Sequence, residues 1–237
     1  MKQNLPAWND PRGFYGRYAQ RYAEVSHGFL QSTYDNASHP KLTEDGDIIH
    51  RMRELIPARA TGLDAGCGAG ARDLFFYWQF EYDIWGIDAV QENIDLSREI
   101  HPEISDRVNL GDLTEPLRYP SGHFDFILCN AVIQHIDPDK VLNVTFREFN
   151  RVLKHGGVLQ LMFKVGDGVK VIHDRDYETN REFRLYTTDF VMNALERTGF
   201  AIIPGSKQNL GGVMLFTDTK PMEHCLIFAK KLNSGGT

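Results

Sequence analysis

The chain predicts an α/β fold: a doubly wound, mostly parallel sheet with helices on both faces, preceded by a helical extension. Three observations carry this expectation. From about residue 45 onward, short apolar runs alternate with helical patterns, and repeated strand–helix succession builds a parallel sheet. The run Phe124-Asp125-Phe126-Ile127-Leu128-Cys129 is apolar at nearly every position, as in a strand buried on both faces. A glycine-rich turn, Asp64-Ala65-Gly66-Cys67-Gly68-Ala69-Gly70, joins the first strand to its helix, and such sheets bind ligands outside the carboxyl ends of their strands.

Taken in order, the first helical stripe is Phe14, Tyr18, Tyr22, Val25 and Phe29, spaced for one helix face. A second helix runs from about Asp47 to Ile56, with Ile48, Met52, Leu55 and Ile56 on one side and Pro57 after the stop. Thr61-Gly62-Leu63-Asp64-Ala65 is the first strand, and Leu74, Phe75, Trp78 and Gln79 mark the helix after the glycine turn. Tyr82 to Ile87 is the second strand, closed by Asp88; a helix over about 90–100 stops near Pro102; Arg107 to Leu110 is the third strand. After the fourth strand, Asp137 caps a helix with Pro138 in its first turn, and that helix is expected to reach His155 before Gly156. Gly157 to Phe163 is the fifth strand; 165–186 reads as an irregular polar loop; Thr187 to Thr198 is the last helix, stopped by Gly199. Ala201-Ile202-Ile203 and Cys225 to Phe228 complete a tally of seven strands.

At 237 residues, with 42% hydrophobic and 24% charged side chains, the chain suits one core with a decoration. The expected division is a helical extension or lid over 1–45 and a ligand-binding domain over 46–237. The net charge of −6 argues against a nucleic-acid partner, which calls for clustered Lys and Arg. No apolar run approaches a membrane span, and the first residues have no secretory h-region. Cys67, Cys129 and Cys225 form no CxxC pair, so the expectation is reduced thiols in the cytoplasm and no metal site.

The turn admits two ligand classes. Gly66, Gly68 and Ala71 satisfy the dinucleotide pattern, with Asp88 as its acid about 20 residues on; the other class is S-adenosylmethionine. Asp64, beside the glycines, would repel a pyrophosphate but suits the ammonium of a methionine. Asp88 can accept both ribose hydroxyls, and Asp112, after the third strand, can accept from an adenine amino group. Acids after three successive strands match one cationic, adenosine-bearing ligand better than a dinucleotide.

Gly62-Leu63-Asp64-Ala65-Gly66-Cys67-Gly68-Ala69-Gly70 resembles motif I of the class I S-adenosylmethionine-dependent methyltransferases. Gly86-Ile87-Asp88 resembles their acidic second motif, and Gly111-Asp112-Leu113 their adenine-contacting motif. Phe124 to Ile136 resembles the fourth-strand motif, and Glu148-Phe149-Asn150-Arg151-Val152-Leu153-Lys154-His155-Gly156-Gly157 the signature before the fifth strand. The resemblance covers about 60–165. It implies a Rossmann-like sheet of seven strands, the last antiparallel, with S-adenosylmethionine as cofactor. It further implies cofactor contacts from Asp64, Gly66, Cys67, Gly68, Asp88, Ala89, Asp112, Leu113 and Asn130, and from Tyr22 of an N-terminal lid that also carries Tyr15 and Tyr18.

His135, in the loop after the fourth strand, is the candidate catalytic residue, since imidazole titrates near neutrality. The segment 165–186 lies on the ligand side and carries Lys170, His173, Asp174, Arg175, Asp176, Tyr177, Arg181 and Arg184, which suits either a surface loop of mixed charge or a binding loop. The expected function is methyl transfer to O or N of a small-molecule acceptor by in-line displacement. A protein or RNA acceptor, an NAD-dependent oxidoreductase and a non-catalytic S-adenosylmethionine binder are the alternatives.

Overall fold

The computed structural model describes residues 10–27, 33–218 and 222–233. The chain forms α1 (Pro11–His27), α2 (Asp45–Leu55), β1 (Thr61–Ala65), α3 (Arg72–Gln79), β2 (Asp83–Asp88), α4 (Gln91–Ile100), β3 (Val108–Leu110) and β4 (Phe124–Asn130). A helical run follows: α5 (Pro138–Lys140), a π-helical segment Val141–Thr145, and α6 (Phe146–Val152). Then come β5 (Leu153–Lys164), β6 (Val169–Asp174), β7 (Thr179–Arg184), α7 (Thr188–Arg197), β8 (Phe200–Ile202), β9 (Val213–Thr217) and β10 (Glu223–Lys231).

The main sheet has the order β3-β2-β1-β4-β5-β10-β8. Its first five strands are parallel, and β10 runs antiparallel between β5 and β8. β9 pairs with the first half of β10 along the edge that β8 occupies further on. Side chains alternate between the two faces. Leu63, Ile127, Cys129, Leu159 and Leu161 enter one core, under α6 and α7. Phe126, Leu128 and Val158 enter the other, with Ile48, Met52, Leu74, Tyr77 and Ile94 from the helices opposite. Each such side chain contributes about 1.5–3 kcal/mol by leaving water. Gly62 is needed for this packing, because a Cβ there would lie 2.2 Å from the Phe126 ring.

Three features depart from the sequence expectation. The sheet has eight strands rather than seven, because Val213–Thr217 pairs with β10. The stretch expected to be irregular is an antiparallel hairpin, β6–β7, with Arg181 opposite Ile172 and Phe183 opposite Lys170. Its alternation is hidden because the residues turned inward include Asp174, Thr179 and Arg181, which are buried although polar. The helix expected to reach His155 ends at Val152. Leu153 instead pairs with Phe124 across a bulge, and Lys154 Nζ binds both oxygens of Asp125 at 2.9 Å. In the first stripe, Phe14 is buried and the helix kinks at Tyr18 (φ −111°, ψ 19°); Phe29 lies outside the described residues.

Candidate functional site

The glycine turn is fastened to the end of β2. The N–H groups of Gly66 and Cys67 both donate to the Ile87 carbonyl, at 2.8 and 3.0 Å. Gly68 N–H donates to Asp88 Oδ2 at 3.0 Å. The other Asp88 oxygen accepts from Val90 N–H at 2.9 Å and Asn93 Nδ2 at 3.1 Å. Burial raises the Asp88 carboxyl above its ordinary value, although these donors oppose the shift. Gly66 and Gly68 have φ of +89° and +65°, a region that favours glycine.

Asp112 sits beyond β3. Its Oδ1 accepts from the Thr114 amide at 2.9 Å and hydroxyl at 2.8 Å, and its Oδ2 pairs with the Arg12 guanidinium of α1. Partial burial opposes the shift, but Thr114 and Arg12 together hold this carboxyl below its usual range. The neighbouring Leu113 carbonyl is anchored by Thr145 Oγ1 at 2.9 Å, from the π-helical segment.

Two adjoining hollows open at these strand ends. The first is lined by Gly68, Asp88, Ala89, Asp112, Leu113 and His135, with α1 over it. The second is lined by Tyr34, Asp64, Arg72, Gln160, Lys164 and Phe183, among others. Tyr15, Tyr22, Gly66, Asn130 and Ala131 border both. A hydrogen-bonded chain crosses the floor of the second hollow. Tyr34 Oη binds Asp45, Arg72 bridges Asp45 and Asp73, Asn130 Nδ2 donates to Asp73 at 2.8 Å, and Gln160 Nε2 donates to Asn130 at 3.0 Å.

The predicted residues are thus largely gathered, with one difference in placement. Asp88 and Asp112 share the first hollow, whereas Asp64 is set back in the second. Asp64 is 3% exposed and takes the Leu74 N–H at 3.2 Å. Burial, and then the charge of Asp73, raise its carboxyl well above the usual value. Cys67 also borders the second hollow, and burial followed by the charges of Asp64 and Asp88 pushes its thiol up, so it is no reactive thiolate. Tyr15 and Tyr22 border the hollows, while Tyr18 packs on Phe14 and Tyr177 instead. His135 Nε2 lies 3.1 Å from Tyr15 Oη. Burial, then Arg181 and Lys164, push its imidazole down to about 3, which leaves the ring neutral and a weak proton acceptor at ordinary pH.

Arg12, Tyr34, Asp45, Asp73 and Gln160 escaped the sequence reading. Asp73 had a signal, since it opens the helix directly after the glycine turn. Arg12 and Tyr34 had none, because their partners come from distant segments or different elements.

The first hollow fits an adenosyl group. Asn93 Oδ1 and His135 Nδ1 are buried along its wall without a partner among the described residues, and buried polar atoms call for one. The turn beneath tolerates only glycine, since a Cβ at Gly66 would lie 2.5 Å from Val132 and one at Gly68 2.7 Å from Tyr22. Among the described residues no group of His, Cys, Asp and Glu is placed to hold a metal, and no helix is long and apolar enough to cross a membrane.

Comparison with known proteins agrees with this geometry. Residues 63–161 match the family model described as a methyltransferase domain. Phosphoethanolamine N-methyltransferase 3 of Arabidopsis thaliana is 34% identical over 108 residues, covering 45% of this chain and 21% of that protein. A probable 18S rRNA (guanine-N(7))-methyltransferase of Dictyostelium discoideum is 31% identical over 155 residues, covering 55% of this chain and 51% of that protein. The chain therefore spans between a fifth and half of the length of these relatives. Burkholderia thailandensis 1,6-didemethyltoxoflavin-N1-methyltransferase, solved with S-adenosylhomocysteine, superposes with a TM-score of 0.56 at 16% identity, covering 92% of this chain and 90% of that one. The motif series, the sheet order and this match agree: residues 63–161 match a methyltransferase domain, and the chain has the Rossmann-like methyltransferase fold.

Proposed function

We propose that the protein transfers a methyl group from S-adenosylmethionine to O or N of a small-molecule acceptor. The observation that carries this reading is the pairing of the hollows: an acid-lined one beneath the glycine turn adjoins a second one walled by Tyr15, Tyr34, Phe183 and Phe216. Bound S-adenosylmethionine supplies a methyl carbon on a cationic sulfur, open to in-line displacement.

In this reading Asp88 accepts from the ribose hydroxyls, and Asp112 accepts from the adenine amino group, flanked by Ala89 and Leu113. Gly66, Cys67 and Gly68 let the backbone approach the ligand. Asp64 faces the ammonium side, where a cation favours its ionised form. Asn130 and Tyr22, at the border of the hollows, hold the two reactants in register. Positioning of this kind lowers a barrier by about 7–11 kcal/mol in good cases. Within the expected lid segment, α1 acts as the covering element that excludes water. His135 acts through its hydrogen bonds rather than as a base. The free thiols Cys67, Cys129 and Cys225 suit a reducing cytoplasm.

Calorimetric titration with S-adenosylmethionine, S-adenosylhomocysteine and NAD tests the cofactor. Micromolar binding of the adenosyl ligands alone is expected, and binding of NAD alone overturns the reading. Transfer of labelled methyl to a panel of small amines and phenols, with ribosomal RNA in parallel, then tests the acceptor. The similarity to the Dictyostelium protein, whose name specifies rRNA, makes RNA the second reading. Label in RNA alone would establish it.

A further inference from the structure

We propose that Arg181, held by Asp174, is a positioning residue. Through Tyr15 it fixes His135 as the neutral imidazole with its proton on Nδ1. The tautomer is a property of the protein alone and stands apart from the methyl-transfer reading.

The arrangement begins on the hairpin. Arg181, from β7, and Asp174, from β6, form a pair at 2.9 Å with side chains 7% and 1% exposed. The guanidinium carbon lies 4.3, 4.7, 5.1 and 5.2 Å from the ring centroids of Phe14, Phe183, Tyr177 and Tyr15. These rings stabilise the cation by their faces and leave its N–H groups to polar partners. Nη1 donates to Asp174 Oδ2, and Nη2 donates to Tyr15 Oη at 2.6 Å.

The Tyr15 oxygen therefore already accepts a hydrogen bond from a cation. Its own proton needs an acceptor, and the group in reach is His135 Nε2, at 3.1 Å. Two tautomers can then be compared by counting unmade bonds. With the proton on Nε2, the ring donates to Tyr15, and both the Tyr15 hydroxyl hydrogen and the bare Nδ1 lack a partner among the described residues. With the proton on Nδ1, Tyr15 donates to Nε2 and Nδ1–H alone lacks one. Each unmade buried hydrogen bond carries a desolvation penalty, so the Nδ1–H form is favoured. Arg181 strengthens the choice, because a cation at the phenol oxygen polarises its O–H toward His135.

The groups that face His135 are Tyr15, at 5.4 Å between ring centroids, and Phe183, at 5.6 Å. Arg181 and Lys164 lie over Phe183 in turn, with the guanidinium carbon 4.7 Å and Lys164 Nζ 5.0 Å from the centroid of that ring. Neither cation favours an imidazolium, in keeping with the low value noted above. Nε2 is occupied by Tyr15, so the ring has no lone pair to take a proton from a substrate. What remains is Nδ1–H, buried and without a partner among the described residues, on a residue that borders the first hollow. The hairpin after β5, whose residues border the second hollow, thereby sets the hydrogen-bond character of a residue in the first.

The test is long-range 1H–15N correlation on the full chain labelled with 15N-histidine, without ligand, at pH 7. Among the nine histidines, His135 is assigned by the pattern lost in His135→Gln. The expected pattern is a protonated Nδ1 and an unprotonated Nε2, unchanged down to pH 5. Tyr15→Phe removes one oxygen and keeps the Arg181–Asp174 pair, so it should fold; it is expected to abolish the Nδ1–H preference. Arg181→Gln is expected to raise the His135 titration midpoint toward the ordinary value of about 6.5. A wild-type ring protonated on Nε2 overturns the proposal. So does an unaltered pattern in Tyr15→Phe with unchanged circular dichroism and melting. Because no methyl donor is present, these outcomes stand apart from the success or failure of the methyl-transfer reading.

Discussion

Arg12, in the first turn of α1, forms an ion pair with Asp112 across the mouth of the hollow that both residues border. The same carboxylate is the one assigned to the adenine amino group, so the lid and the ligand draw on one acid. Arg12 is 59% exposed at its side chain and Asp112 26%, and an exposed pair of this kind adds no more than about 1 kcal/mol. Arg12→Ala is therefore expected to leave the melting temperature nearly unchanged while speeding association of S-adenosylhomocysteine several-fold. The gain should shrink as salt rises, since screening weakens the pair in the wild type as well. Stopped-flow fluorescence at two ionic strengths measures both effects, and an unchanged association rate removes the latch.

Asp88 braces Gly68 and is the residue proposed for the ribose hydroxyls. Asp88→Ala is expected to cut affinity for S-adenosylhomocysteine by about 1.5–3 kcal/mol, the range for hydrogen bonds to a charged group. That corresponds to roughly 10- to 150-fold in Kd. Calorimetry checks it directly, and an unaltered Kd would remove Asp88 from the cofactor site.

Asp64 should trade stability for function. Burial and Asp73 raise its folded-state carboxyl value above the unfolded value of about 3.9. The folded state then holds the proton more tightly, so ionisation costs stability as pH climbs from the unfolded value through the raised one. Asp64→Asn keeps an acceptor for Leu74 N–H and removes that cost. The ligand-free variant is expected to melt higher than wild type, with a gain that is small near pH 4, larger at pH 8 and level above the raised value. Its affinity for S-adenosylmethionine should fall, because the ammonium loses its counter-charge. A variant less stable than wild type at pH 8 would refute this account.

Gly62 tests the core rather than the site. Gly62→Ala places a methyl group 2.2 Å from Phe126, and overpacking of this sort typically costs about 1–3 kcal/mol. Urea denaturation should show a lower midpoint with an unchanged slope.

The parts of the site that were legible in the sequence are those written in one local segment. Asp88 and Asp112 each close a strand, and the glycines between Asp64 and Arg72 need no distant partner to be recognised. Arg12 was illegible because its partner is 100 residues away. Arg181 was named on the ligand side, but its place on a buried strand was illegible, because a period of two made of charged residues reads as a solvated loop; it is the pairing with Asp174 that accompanies its burial. Tyr34 stacks on Phe216 with centroids 4.1 Å apart, a contact between segments with no shared motif. The strand Val213–Thr217 shows the same limit, since its pairing with β10 joins an apolar run to a partner later in the chain.

The place of β10 inside the sheet has a consequence for the order of events during synthesis. β5 pairs with β4 on one side and with β10 on the other. β10 leaves the ribosome some 60 residues after β5, which at about 5–20 residues per second is a wait of several seconds. Throughout that interval β5 presents an unpaired edge beside Leu159, Leu161 and Phe163, the kind of edge that seeds aggregation. β8, already made, has no strand to pair with among the described residues until β10 arrives. A ribosome stalled between residues 165 and 222 would therefore hold a nascent chain whose sheet is half-built and dependent on chaperones, however stable the finished protein.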